Sequence, residues 1–90
     1  MALIMKETRK ITVGTAAVSV ETAYRSFLMV NTGASPVYFR EAGEDGAAVT
    51  EENGFVLPAG AVTPLPLCAK TLSLTAAADT DVRLLFVREG

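Results

Sequence analysis

Near the C-terminal end of the sequence, Thr71-Leu-Ser-Leu-Thr75 alternates apolar and polar positions with the period of two that marks a half-buried strand, and Val82-Arg-Leu-Leu-Phe-Val87 reads as a second strand. In the second, Val82, Leu84 and Phe86 point one way, and Leu85 and Val87 the other. Ile11-Thr-Val13 and Val18-Ser-Val20 are shorter versions of the same pattern. Phe27-Leu-Met-Val30 is apolar throughout, which suits a central strand covered on both faces. Val37-Tyr-Phe-Arg40 sets Val37 and Phe39 on one face, and Phe55-Val-Leu57 ends at Pro58. The stretch from Val62 to Leu67 is extended but interrupted by Pro64 and Pro66, which have no N–H to give to a ladder. It belongs at an edge or outside a sheet.

Turn chemistry separates these runs. Asn31-Thr-Gly-Ala-Ser-Pro36 favours a chain reversal, Asn53-Gly54 a second, and Ala76 to Asp81 a third. Glu21 to Arg25 reads as a loop or one helical turn, with Tyr24 sealing an end of the core. Glu41 to Asn53 reads as an exposed acidic loop with a short strand near residues 47–49. About seven short strands with turns every 8–12 residues predict an all-β fold, a small antiparallel β-sandwich or jelly roll. Residues 1–9 show no clear period and read as a frayed terminus or as an arm that orders against a neighbour; the domain division is an N-terminal arm at 1–10 and a single β-sandwich domain at 11–90.

Composition changes this picture in one respect. Half of the 90 residues are hydrophobic and one fifth are charged. A domain this small buries only about 60–65% of the surface its unfolded chain exposes, so apolar surface is left over for contacts. Leu3, Ile4, Met5 and Arg9 in the arm, with Leu85 and Val87 on the second face of the last strand, are the candidate interface residues. The net charge of −2 argues against nonspecific nucleic-acid binding. It is unevenly placed, with five basic against two acidic groups in residues 1–40 and three against eight in residues 41–90. Such halves can set the register of copies packed side by side.

Candidate chemistry is sparse. The sequence has no histidine and one cysteine, Cys68, which reads as a small buried hydrophobe and leaves no intrachain disulfide. Glu41, Glu44, Asp45, Glu51 and Glu52 offer oxygen donors, but not at EF-hand spacing, and a glycine-containing loop keeps them solvated. No phosphate-cradling glycine loop or serine-nucleophile motif occurs. The reading is of a protein without enzyme activity, cofactor or metal. The apolar start is too short for a signal peptide, and no segment has the roughly 20 apolar residues of a membrane span.

Together, the Asn-Thr-Gly-x-x-Pro-Val-Tyr-Phe run at residues 31–39, the acidic loop, the Asn-Gly-Phe-x-Leu-Pro-Ala-Gly run at 53–60 and the alternating strand with its Ala-rich turn resemble small β-sandwich virion proteins of tailed bacteriophages. The resemblance spans roughly Ile11 to Val87. It implies a structural protein, often trimeric, that decorates a capsid and bridges major capsid protein subunits, made in the host cytoplasm and residing on the virion surface. Two alternatives stay open: a tail or head-completion component, and a β module that binds a host glycan or receptor. No individual functional residue follows from the resemblance.

Overall fold

The computed structural model describes residues 3–42 and 49–89. The fold is all-β, with eight strands among the described residues: β1 (Leu3–Val13), β2 (Val18–Glu21), β3 (Ser26–Asn31), β4 (Val37–Glu41), β5 (Phe55–Leu57), β6 (Leu67–Cys68), β7 (Thr71–Ala76) and β8 (Thr80–Glu89). They form two four-stranded sheets, ordered β1-β8-β3-β6 and β2-β7-β4-β5, and every pairing is antiparallel. Strand 1 pairs with 8, 2 with 7, 3 with 6 and 4 with 5. This is a long hairpin rolled up on itself, the topology of a jelly roll. The eighth strand beyond the seven expected is the two-residue β6, all of the proline-broken stretch that reaches a sheet apart from a single bridge between Val62 and Val30.

The inward faces follow the alternation in the sequence. Val82, Leu84 and Phe86 of β8 meet Phe27 and Met29 of β3, and across the sandwich Leu72, Leu74 and Ala76 of β7 with Val37 and Leu57. Phe27 and Phe86 are direct cross-strand partners with ring centroids 5.9 Å apart. Tyr24 does not seal the core: it is 65% exposed, on a turn where Ala23 and Tyr24 both take positive φ. That end is closed by Arg25, whose guanidinium lies 4.0 Å from the Phe86 ring centroid and bonds Glu7 at 2.6 Å. Arg9 lies on the same ring at 5.5 Å and reaches Glu7 at 3.4 Å.

Asn31 ties the two sheets together. It is fully buried at the end of β3, and its amide nitrogen donates to the carbonyls of Ser35 (2.7 Å) and Leu57 (3.1 Å). Its side-chain oxygen accepts from the Gly33 N–H (3.1 Å) and the Thr80 hydroxyl (3.0 Å). The backbone of Asn31 also exchanges bonds with Gly60 and Ala61, so one residue anchors the start of the proline-rich connection. Gly60 has φ +78°, which places it at the third position of the Pro58–Ala61 turn, where only glycine sits without strain.

The described part of the acidic loop is not uniformly exposed. Val49 is buried, its N–H donating to Ser73 on the outer face of β7, whereas Thr50 to Asn53 form an exposed turn closed by reciprocal Thr50–Asn53 bonds. Most of the short strand expected near residues 47–49, together with Glu44 and Asp45, lies outside the described residues.

Candidate functional site

Apolar surface is concentrated in two places. Of the eight large hydrophobic side chains left exposed among the described residues, three are Leu3, Ile4 and Met5, and four are Phe55, Val56, Val62 and Leu65; Tyr24 stands alone. Scattered exposed hydrophobics carry no message, but contiguous ones mark contact sites.

The second group lines a groove at one side of the sandwich. Prolines 58, 64 and 66 stop the chain from adding to either sheet, so the edge strands β5 and β6 are only three and two residues long. The interior between the sheets is therefore left open along that side. The result is a cleft of about 600 Å³, within the size range of pockets that hold small ligands or a few side chains. Its floor is core, with Phe27, Phe39, Leu67 and Leu72, and its rim carries Phe55, Val62 and Leu65. Phe55 is 72% exposed yet oriented, its ring 6.0 Å from that of Phe39, its cross-strand neighbour. The far wall is held by Thr63, which is buried; its hydroxyl accepts from the Met29 N–H at 3.0 Å, and its own N–H donates to the Met29 carbonyl at 2.9 Å.

Charged groups in the lining are few: Arg40 and Glu41, at the β4 end. Cys68, expected to be buried, is exposed and lines the groove, its thiol 3.2 Å from the Tyr24 carbonyl oxygen. The expectation failed because β6 ends there, so its flank has no strand to cover it. An apolar trough with so little polar guidance is built to take an apolar shape, each fully covered side chain contributing about 1.5–3 kcal/mol.

The first group is the tip of β1. Residues expected as a separate arm are, from Leu3 onward, the first eight of the eleven residues of one strand paired with β8 to Glu89. No boundary falls at residue 10. Pairing of β8 with β3 stops at Phe86, so Leu3 to Met5 and Val87 to Glu89 form a two-stranded ribbon beyond the sandwich. Ile4 faces opposite to Leu3 and Met5, and all three are exposed, beside Arg88 on the Ile4 side and Glu89 on the other.

The other expected interface residues are placed differently. Arg9 is engaged within the chain, over Phe86 and against Glu7. Leu85 is half-buried on the outer face of its sheet, and Val87, opposite Met5, is 7% exposed, which removes it from any large contact surface. Phe55, Val62 and Leu65 were not anticipated; the signal that would have found them is the spacing of three prolines around short apolar runs. No group of metal-ligating side chains occurs among the described residues. Comparison with family models, with curated proteins and with solved structures returns no match for this chain.

Proposed function

We propose that this chain is a structural, non-enzymatic virion protein that decorates a bacteriophage capsid and stabilises it by bridging major capsid protein subunits, itself assembled as an oligomer, most simply a trimer. The observation that carries this reading is the placement of its surplus apolar surface. Among the described residues, seven of the eight exposed large hydrophobics sit in a projecting ribbon and an open groove, and the groove offers almost no polar group to orient a small substrate. The jelly roll supports it as a fold on which capsid proteins are often built, although lectins and other unrelated functions use it too. The resemblance of the 31–39 and 53–60 runs to phage virion proteins supplies the particular particle. A contact of modest area, repeated over many copies, opposes shell opening at about 25 cal/mol per Å² of apolar surface covered.

The test is stoichiometry on purified particles. Quantitative mass spectrometry of this chain against the major capsid protein is expected to give a fixed ratio corresponding to a full lattice of copies. Particles stripped of it are expected to release DNA at lower temperature and to recover on adding it back. A handful of copies per particle would move the protein to the tail or head-completion apparatus, and specific retention on a glycan surface without particle binding would make it a recognition module.

A further inference from the structure

We infer that Asn53 is a site of spontaneous covalent modification, converted through a cyclic imide with the Gly54 nitrogen to aspartate or isoaspartate, and that the turn it closes is the gate on that reaction. The inference stands on the turn alone and not on what the protein binds.

The chain has two asparagines. Asn31 is fully buried, its amide nitrogen donates to two carbonyls, and a β-branched threonine follows it. Asn53 is exposed, and a glycine follows it. In the imide reaction hydroxide takes the proton of the following backbone N–H, and that nitrogen attacks the side-chain carbonyl carbon. The carboxamide nitrogen leaves as ammonia, with a proton from water. Water then opens the ring. Cleavage at the side-chain carbonyl gives aspartate; cleavage at the backbone carbonyl gives isoaspartate, whose main chain carries one extra carbon. A side chain on the residue that supplies the nitrogen hinders the attack, and glycine has none. The fold requires that glycine, since a Cβ at Gly54 would stand 2.6 Å from the Val49 Cγ2 and 3.1 Å from both the Phe39 nitrogen and the Thr50 carbonyl oxygen. The packing of Val49 against the turn thus excludes the side chain that would protect Asn53.

Protection comes from Thr50 instead. Its carbonyl accepts the Gly54 N–H at 3.0 Å, so the proton that must leave is held in a hydrogen bond. Its own N–H donates to the Asn53 side-chain oxygen at 2.7 Å, and its hydroxyl accepts the Asn53 N–H at 3.2 Å, which fixes the carboxamide. Polarising that side-chain carbonyl does not help the attack while the Gly54 nitrogen is held as a donor. Ring closure needs the nitrogen free and the carboxamide able to turn, so one residue restrains both reacting groups and releases them together when the turn opens. Such a local opening costs less than unfolding the whole domain. Breaking these hydrogen bonds, each of ordinary strength, slows the reaction by about tenfold or more relative to an open chain. The product matters to the neighbouring elements. Isoaspartate lengthens the main chain between Val49, whose N–H is tied to Ser73 of β7, and Phe55, which is paired with Phe39. The turn no longer fits between these two anchors, and Phe55 is the rim of the groove.

The experiment follows the peptide carrying Asn53 by mass spectrometry after the full chain is incubated at mildly alkaline pH, folded in buffer or unfolded in guanidinium chloride. Conversion of amide to acid is expected in both states, slower by about tenfold or more in the folded one, with Asn31 unchanged there as an internal control. Val49→Ala, which loosens the turn and keeps the reactive pair, is expected to convert at a rate between the two, with folding checked by circular dichroism. Asn53→Gln, whose ring would be one atom larger, is expected to abolish the mass change at this peptide. The isoaspartate form, separated by chromatography, is expected to melt below the unconverted chain. An unfolded chain that does not convert would overturn the site, and equal rates in the folded and unfolded chain would overturn the gate. An isoaspartate form with an unchanged melting point would overturn the effect on Val49 and Phe55.

Discussion

Replacing Asn31 with alanine is expected to destabilise the fold by about 3 kcal/mol, a large share of the roughly 5–15 kcal/mol that holds a domain of this kind. The magnitude follows from the four side-chain bonds. Those to the Ser35 carbonyl and the Gly33 N–H are only part-buried, so water replaces them at little cost. Those to the Leu57 carbonyl and the Thr80 hydroxyl are buried, and each orphaned group costs about 1–3 kcal/mol. Two such groups in the lower half of that range, about 1.5 kcal/mol each, make up the total. At about 4–8 °C per kcal/mol for a domain of this length, the melting midpoint should fall by about 12–24 °C.

Asn31→Asp sharpens the test, because it keeps the shape and both acceptor contacts while turning a carboxylate oxygen toward the Ser35 and Leu57 carbonyls. The ionised form is penalised in the fold and the neutral form can donate, so the folded pKa of the introduced group lies above its unfolded value of about 3.9. The folded state then binds the extra proton, and stability relative to wild type should rise as pH falls through the folded value and be lowest at neutral pH. Urea titrations from neutral to acidic pH measure both effects. A loss below about 1 kcal/mol for the alanine variant, or a flat pH dependence for the aspartate variant, would refute the role assigned to Asn31.

Other outcomes follow from the same structure. The Arg25 guanidinium, through its hydrogen bond, holds the Glu7 carboxyl below its ordinary value of 4.5, so its contribution to stability is present above that value and lost as pH falls through the lower folded one. Glu7→Gln should flatten that part of the acid limb in pH-dependent urea midpoints, and unchanged slopes would count against the pair. Val49→Ala should cost about 1–2 kcal/mol by opening a cavity over β7, whereas Glu51→Ser with Glu52→Ser should stay within about 0.5 kcal/mol per site, both by thermal melts. Gly33→Ala should destabilise by about 1–3 kcal/mol, because a Cβ there would overlap the Thr80 hydroxyl and approach the Asp81 nitrogen to 2.7 Å.

The central strands were legible because the inward face of each is apolar at every second residue, Leu72, Leu74 and Ala76 in β7 and Val82, Leu84 and Phe86 in β8. The N-terminal half of β1 was not, for a geometric reason. The bulge at Lys6 inserts a residue, and the alternation that starts at Val13 and Ile11 loses phase before Met5. Its pairing is carried by backbone bonds, which any side chains permit. Tyr24 was misplaced because two consecutive non-glycine residues in the left-handed region leave no mark in composition, and Arg25, a charged residue, closes the end instead by stacking on Phe86. Val49 was missed because a loop that folds back on a sheet needs a single apolar residue, too little to make a period.

The groove was hidden for a different reason. Phe55, Val62 and Leu65 occur in runs whose pattern is that of a strand, and pattern reports which face a residue takes without reporting whether anything lies opposite it. That is decided by Pro58, Pro64 and Pro66, which end the edge strands before they cover the sandwich. The same prolines also keep the groove from healing, since the segment they stiffen is pinned by Thr63 to Met29 and by Gly60 and Ala61 to Asn31. A flexible segment would collapse onto Phe39 and Leu67, which are only partly buried. A segment fixed at both ends cannot, so Phe39 and Leu67 stay partly covered while Phe55, Val62 and Leu65 stay exposed.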